Sequence, residues 1–142
     1  MRLSSEKEKE EKNGKIHLID TDILFSKKYL NFREKEYRIT NIALYEFIVI
    51  IRNKYMEMMK KGHKDRAKGY LNFLKLIKNE MKNSIIDVNK DDILKVIDII
   101  FEREINVGDA INVVIARKMN ATIVSNDKDY DRVKDLVEVI RP

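Results

Sequence analysis

Hydrophobic and polar positions in this chain follow two periods, one suited to strands and one to helices. "KIHLID" (Lys15–Asp20) is a short apolar run ending on a carboxylate, which predicts a buried strand starting at Ile16. A helix is expected to begin at Asp22 and continue through "ILFSKKYLNF". "TNIALYEF" (Thr40–Phe47) opens a second helix running to about Lys61, with Thr40 or Asn41 as its N-cap. The first half of that helix, Ile42 to Ile51, is apolar nearly all round, which suits the core or a subunit interface. "KKGHKDRAKG" interrupts the pattern as a basic turn, and Tyr70, Phe73, Leu74, Ile77 and Met81 then mark an amphipathic helix. "SIIDV" (Ser84–Val88) reads as a strand, and "KDDILKVIDIIFERE" as a helix capped by Asp91 or Asp92. Gly108 leads into the helical "DAINVVIARKMN", followed by the strand "ATIVSND" and a terminal strand over Leu136–Ile140.

Short β-branched strands separated by amphipathic helices predict an α/β fold, with a central parallel sheet of four to five short strands flanked by helices. The chain shows no internal repeat, and its one proline is Pro142, so residues 16–142 are expected to form a single domain. Residues 1–15 alternate acid and base without an apolar face, and are expected to form a flexible charged tail. In a parallel sheet, functional side chains gather just beyond the carboxyl ends of the strands. Asp20 closes the first strand and Asp127 follows "TIVS", so both belong at that edge. Asp109 opens the helix preceding that strand. Glu46 sits in an apolar stripe, where a charge needs a partner; Arg52 or Lys54 would serve. Four carboxylates brought together repel one another, and one or two divalent cations would relieve that repulsion.

Composition narrows the chemistry. The 142 residues contain no cysteine and two histidines, His17 and His63, which excludes disulfides, thiolate zinc sites and cysteine nucleophiles. A metal here would be held by oxygen, which points to Mg²⁺ or Mn²⁺. No apolar run approaches the length of a membrane span, and the charged N-terminus is unlike a signal peptide, so a cytoplasmic protein with no membrane association is expected. A net charge of +5 and a pI near 9.3 add a mild bias toward polyanionic partners. Lys60, Lys61, Lys64 and Arg66 are candidate RNA contacts, although a solvated lysine-rich surface explains any one of them equally well.

Taken together, the acidic segments resemble those of the PIN-domain ribonucleases, the family that includes VapC-type toxins. The matching segments are "IDTDIL" around Asp20, "TNIALYEF" carrying Glu46, "GDAINVVIARKMNATIVSNDKDY" carrying Asp109 and Asp127, and "LVEVI". Asp109, Asn120, Ser125 and Asp127 stand at the positions of the third and most specific motif, and Tyr130 stands where the family often has phenylalanine. At Asp22 the family more often carries Ser or Asn, so Asp22 is an additional acid, either a helix cap or part of the site. The resemblance implies that Asp20, Glu46, Asp109 and Asp127 hold Mg²⁺ or Mn²⁺, making a bound water acidic enough to attack a phosphodiester of RNA. It also implies that Ser125 contacts a phosphate oxygen or orients the acids and that Asp129 supports the site from outside the ligand set, while Asp22, which departs from the family, stays open between such outer support, an added ligand and a helix cap. An antitoxin partner and a homodimer are further implications. Two other readings stay open at this stage. One is a PIN-fold RNA-binding or assembly module with weak catalysis; the other is a haloacid dehalogenase-like phosphatase using the Asp20–Asp22 pair. The phosphatase motif is usually followed by a Gly-Thr or similar small pair, whereas here Ile23 and Leu24 follow.

Overall fold

The structure is a computed structural model that describes residues 15–32 and 35–142. The expected charged tail therefore lies outside the described residues, apart from Lys15, which is paired with Glu138 at 2.5 Å. In chain order the elements are β1 (His17–Ile19), α1 (Thr21–Phe25), a 3-10 turn (Lys28–Phe32), β2 (Tyr37–Thr40), α2 (Asn41–Lys60) and α3 (Lys64–Met81). They continue with β3 (Ile85–Ile86), α4 (Lys90–Arg103), α5 (Val107–Met119), β4 (Thr122–Val124), a second 3-10 turn (Lys128–Val133) and β5 (Val139–Ile140). The five strands form one parallel sheet in the order β3-β2-β1-β4-β5. This is the expected α/β architecture.

Side chains alternate across each strand, so neighbouring strand residues feed opposite layers. Leu18 and Ile123 belong to the core under α4 and α5. Ile19 and Val124 belong to the core under α1, α2 and α3. Both faces are thus covered, which explains why these strands read as continuous apolar runs. Helix α5 lies deepest: every residue from Asp109 to Ala116 is buried. It ends at Asn120, whose left-handed φ of 54° is one that asparagine tolerates well.

Several elements differ from the sequence expectation. Strand β2 was not foreseen, because "EYRIT" mixes charge into a short run; in the structure Tyr37 and Ile39 are buried, while Arg38 turns out to Glu36. The basic turn shrinks to Lys61–His63, and Lys64 and Arg66 lie in the first turns of α3. Gly62, at φ 77°, supplies the left-handed residue that closes this helical hairpin. The cap of α4 is Asn89 rather than Asp91 or Asp92. Its side chain accepts from the Asp92 amide, and Asp92 reaches back to the Asn89 amide. The terminal strand contracts to two residues. Helix α2 is only partly a core helix, since Ala43, Phe47 and Ile51 are buried but Tyr45, Ile48, Val49 and Ile50 are exposed. No helix among the described residues is long and apolar enough to cross a membrane.

Candidate active site

The register of the two central strands builds the site. Leu18 pairs with Ile123 and Ile19 with Val124, so the next residues along, Asp20 and Ser125, emerge side by side at the carboxyl edge. The Asp20 amide donates to the Val124 carbonyl at 3.0 Å, extending the ladder by one bond. Asp20 then serves as N-cap of α1, its Oδ1 accepting from the Thr21 amide at 2.8 Å. The same oxygen accepts from Asn112 Nδ2 at 3.2 Å, and Oδ2 accepts from Ser125 Oγ and Tyr130 OH, both at 3.1 Å. Four donors fix this buried carboxylate. Burial still raises its pKa, helped by the neighbouring Asp22, because the donors only partly offset the loss of water.

Asp109 approaches from above. Asn106 caps α5 by accepting from the Asp109 amide at 2.7 Å, which places the Asp109 carboxylate in the first turn. Asp109 is 5% exposed, and its Oδ2 has no hydrogen-bond partner. Burial, with the charges of Asp20 and Asp127, pushes its pKa up to about 7. Asp127 follows β4 and caps the second 3-10 turn, accepting from the Asp129 amide at 2.9 Å. One carboxylate oxygen from each of Asp109, Asp127 and Asp129 lies within 4.8 Å of the others. Glu46 enters from α2. Burial and the charge of Asp20 raise its pKa. Neither Arg52 nor Lys54 pairs with it among the described residues; Arg52 bonds Asn53 and Lys54 lies over the Phe25 ring. Instead Glu46 lies against Gly108, where an added Cβ would stand 2.7 Å from Oε1.

Asp20, Asp22, Glu46, Asp109 and Asp127 thus line one open cleft of about 730 Å³. The roles of the flanking residues sort by contact. Asp22 accepts from the Asn126 amide at 2.8 Å and from Ser125 Oγ at 3.3 Å, tying α1 to the loop after β4. Ser125 Oγ lies between Asp20, Asp22 and the Asp127 amide, so in this structure it orients the acids. Asp129, expected outside the ligand set, places a carboxylate oxygen within 4.8 Å of oxygens of both Asp109 and Asp127. Lys60, Lys61 and Lys64 are exposed at the far end of the α2–α3 hairpin and do not line the cleft; Lys61 pairs with Glu57. His63 is exposed, and His17 packs against Phe32 with ring centroids 5.5 Å apart.

One residue of the site was not singled out from the sequence. Asn112 is buried and donates to both Asp20 Oδ1 and Tyr130 OH. The Tyr130 hydroxyl in turn donates to Asp20 Oδ2, and burial together with the charges of Asp20 and Asp109 raises its pKa well above the usual value. The sequence signal for Asn112 was present: it is the one amide in the apolar stretch "AINVVIA", one helical turn past Asp109.

The residues present fit a divalent cation. The donor set is all carboxylate oxygen, three such oxygens converge, and Asp109 Oδ2 is buried and unpartnered.

Comparisons with known proteins agree with this fold. The model of a family described as PIN domain matches residues 16–136. PAE2754 from Pyrobaculum aerophilum has a similar structure, with a TM-score of 0.62 and 18% identity over 89% of this chain and 90% of that one. VapBC2 from Rickettsia felis, bound to a DNA fragment from its promoter, is similar at TM-score 0.57 and 18% identity, covering 89% of this chain and 98% of that one. A toxin–antitoxin complex from Klebsiella pneumoniae is similar at TM-score 0.51 and 19% identity, covering 87% and 95%. At such identities the likeness is one of fold. No curated protein matches the chain.

Proposed function

The chain belongs to the PIN domain family, and from that premise we propose that it is a ribonuclease using Mg²⁺ or Mn²⁺ to hydrolyse RNA phosphodiester bonds. The observation that carries this reading is the convergence of Asp20, Glu46, Asp109 and Asp127 on one open cleft, with a buried Asp109 oxygen lacking any partner. Asp20, Glu46, Asp109 and Asp127 would hold the ion, and the position of Asp129 makes it a further candidate. The ion, when bound, supplies a water of lowered pKa and offsets negative charge on the phosphate.

The chain's own residues do the positioning. Thr21, Asn112, Ser125 and Tyr130 hold Asp20 in one orientation and satisfy its lone pairs. Asp22 and Ser125 lock the loop that presents Asp127. The phosphatase alternative finds no support in the family match, and Asp22 Oδ2 is held by the Asn126 amide of the loop after β4.

Partners follow from exposed surface and from the neighbours. Tyr45 (67% exposed), Ile48 and Val49 on α2 give an apolar face suited to a homodimer, the state expected from the sequence. An antitoxin is the proposed regulatory partner, because structural neighbours include toxin–antitoxin complexes. Lys60, Lys61, Lys64 and Arg66 are proposed to contribute phosphate contacts, which supply affinity without sequence information.

The test is cleavage of a labelled structured RNA with Mn²⁺, with Mg²⁺ and with EDTA, alongside Asp20→Asn and Asp109→Asn. Metal-dependent cutting that disappears in both variants supports the assignment. Cutting that survives EDTA or either substitution overturns it.

A further inference from the structure

A second cleft, of about 340 Å³, adjoins the acidic one, and Phe25 lines both. Phe25 is the last residue of α1 and is 43% exposed, an unusual place for a large apolar ring. Lys54 Nζ lies 5.3 Å from its centroid. Beyond Phe25 the second cleft is lined by Lys27, Arg66, Tyr70 and Phe73, with Lys27 Nζ 5.2 Å from the Phe73 centroid. Among the described residues, Lys27, Lys54 and Arg66 form no ion pair within 4.0 Å and no carboxylate lines this second cleft, although Glu57 feels the charges of Lys54 and Arg66. Aromatic faces interleaved with cations are the arrangement that binds single-stranded nucleic acid, bases stacking on rings and phosphates meeting cations. In a duplex the base faces are already stacked on one another, so an unpaired strand is required.

We propose that Phe25 is the stacking platform for a base next to the scissile phosphate, and that Lys27, Lys54 and Arg66 guide the backbone of a single-stranded RNA across the two clefts. This assignment rests on the ribonuclease reading for its substrate. Lys27 and Arg66 in the second cleft, with Lys54 at its border with the acidic one, favour RNA over an apolar protein segment, which would gain nothing from these cations.

The test exploits the absence of tryptophan from the chain, so that Phe25→Trp introduces a single reporter at the proposed contact. Full-length protein carrying Asp109→Asn to prevent cleavage would be titrated, in Mg²⁺, against a short fluorescein-labelled oligouridylate and against a duplex of equal length. Fluorescence anisotropy gives the affinity of Phe25, Phe25→Ala, Phe25→Leu and Phe25→Trp proteins, and thermal unfolding checks that each is folded. Expected are a loss of roughly 5- to 100-fold for Ala and for Leu, retention by Trp, quenching of the tryptophan emission on binding, and weak duplex binding. Full affinity in the Leu variant would show that no ring is needed for RNA binding and overturn the proposal. So would unchanged tryptophan emission at saturating RNA, or a duplex bound as tightly as the single strand. Failure of the protein without substitutions to cut any RNA would remove the ribonuclease reading, while the binding comparison still decides the subsite.

Discussion

Gly108→Ala separates the geometry of the acidic cleft from the stability of the fold. The new Cβ would stand 2.7 Å from Glu46 Oε1, 3.2 Å from Oε2 and 3.3 Å from Cδ. Comfortable contact lies near 3.5 Å, so the Glu46 carboxylate has to retreat by close to 1 Å. It is the far end of a flexible side chain and half exposed, so it yields at little cost. Gly108 lies in the first turn of α5, where alanine narrows the unfolded ensemble and adds about 0.5 kcal/mol of stability. The melting temperature should therefore hold or rise by about 2 °C. Function should move the other way, since a displacement near 1 Å in a catalytic group costs about 100-fold in rate, and disturbed ligand support costs about 10-fold in metal affinity. The assays are thermal unfolding in EDTA, Mn²⁺ titration by calorimetry, and RNA cleavage at saturating metal. Repeating them in a Glu46→Gln background completes a double-mutant cycle, in which Gly108→Ala should have little further effect on metal binding. An equal effect in both backgrounds would refute the reasoning, as would a melting temperature lowered by several degrees, because the backbone of α5 would then be what moves.

Asp109 sets a pH dependence in metal-free protein. Burial and the neighbouring acids hold it at about 7 in the folded state, above its ordinary 3.8, so the folded state binds the proton more tightly. The stability this contributes is complete below about pH 4 and is lost as the pH rises to about 7. The full linkage is about 4 kcal/mol, which solvent in the open cleft reduces to about 2. Urea midpoints in EDTA at several pH values should fall across that range, and Asp109→Asn should flatten the slope while abolishing cleavage; a flat profile in the unsubstituted protein would contradict the electrostatic account. Tyr130→Phe removes one donor to Asp20 and should cost about 1 kcal/mol in urea denaturation, with RNA cleavage reduced 10- to 100-fold; unchanged cleavage would show that Ser125, Asn112 and Thr21 suffice. Replacing Lys60, Lys61 and Lys64 by Ala should lower the salt slope of RNA binding by up to about 2 without altering metal affinity.

Patterning carried most of the architecture. Helices α2, α4 and α5 have periodic apolar positions and polar residues at their ends, and their extents follow from that alone. Strands β1 and β4 were equally legible, because burial on both faces leaves continuous apolar runs. Strand β2 was not, since Arg38 sits between two buried residues and its charge hides the alternation. The start of α3 was obscured by cations on its exposed first turns, which look the same in sequence whether helical or not. The acids were legible as candidates because local position is enough to set Asp20 and Asp127 beyond strand ends and Asp109 at a helix start.

The sequence by itself determined the composition of the candidate site: carboxylates, without cysteine, placed at the sheet edge where α/β proteins carry function. It could not determine which groups touch. The β1–β4 register brings Asp20 beside Ser125, and the packing of α5 over them delivers Asn112 to both Asp20 and Tyr130. The contacts to Asp20 join residues about a hundred positions apart, and sequence periodicity reports only which side of an element faces the core. The pressing of Glu46 against Gly108, and the place of Phe25 as the ridge between two clefts, likewise exist only once helices from separate layers are packed, because distance in space is set by the fold and not by spacing along the chain.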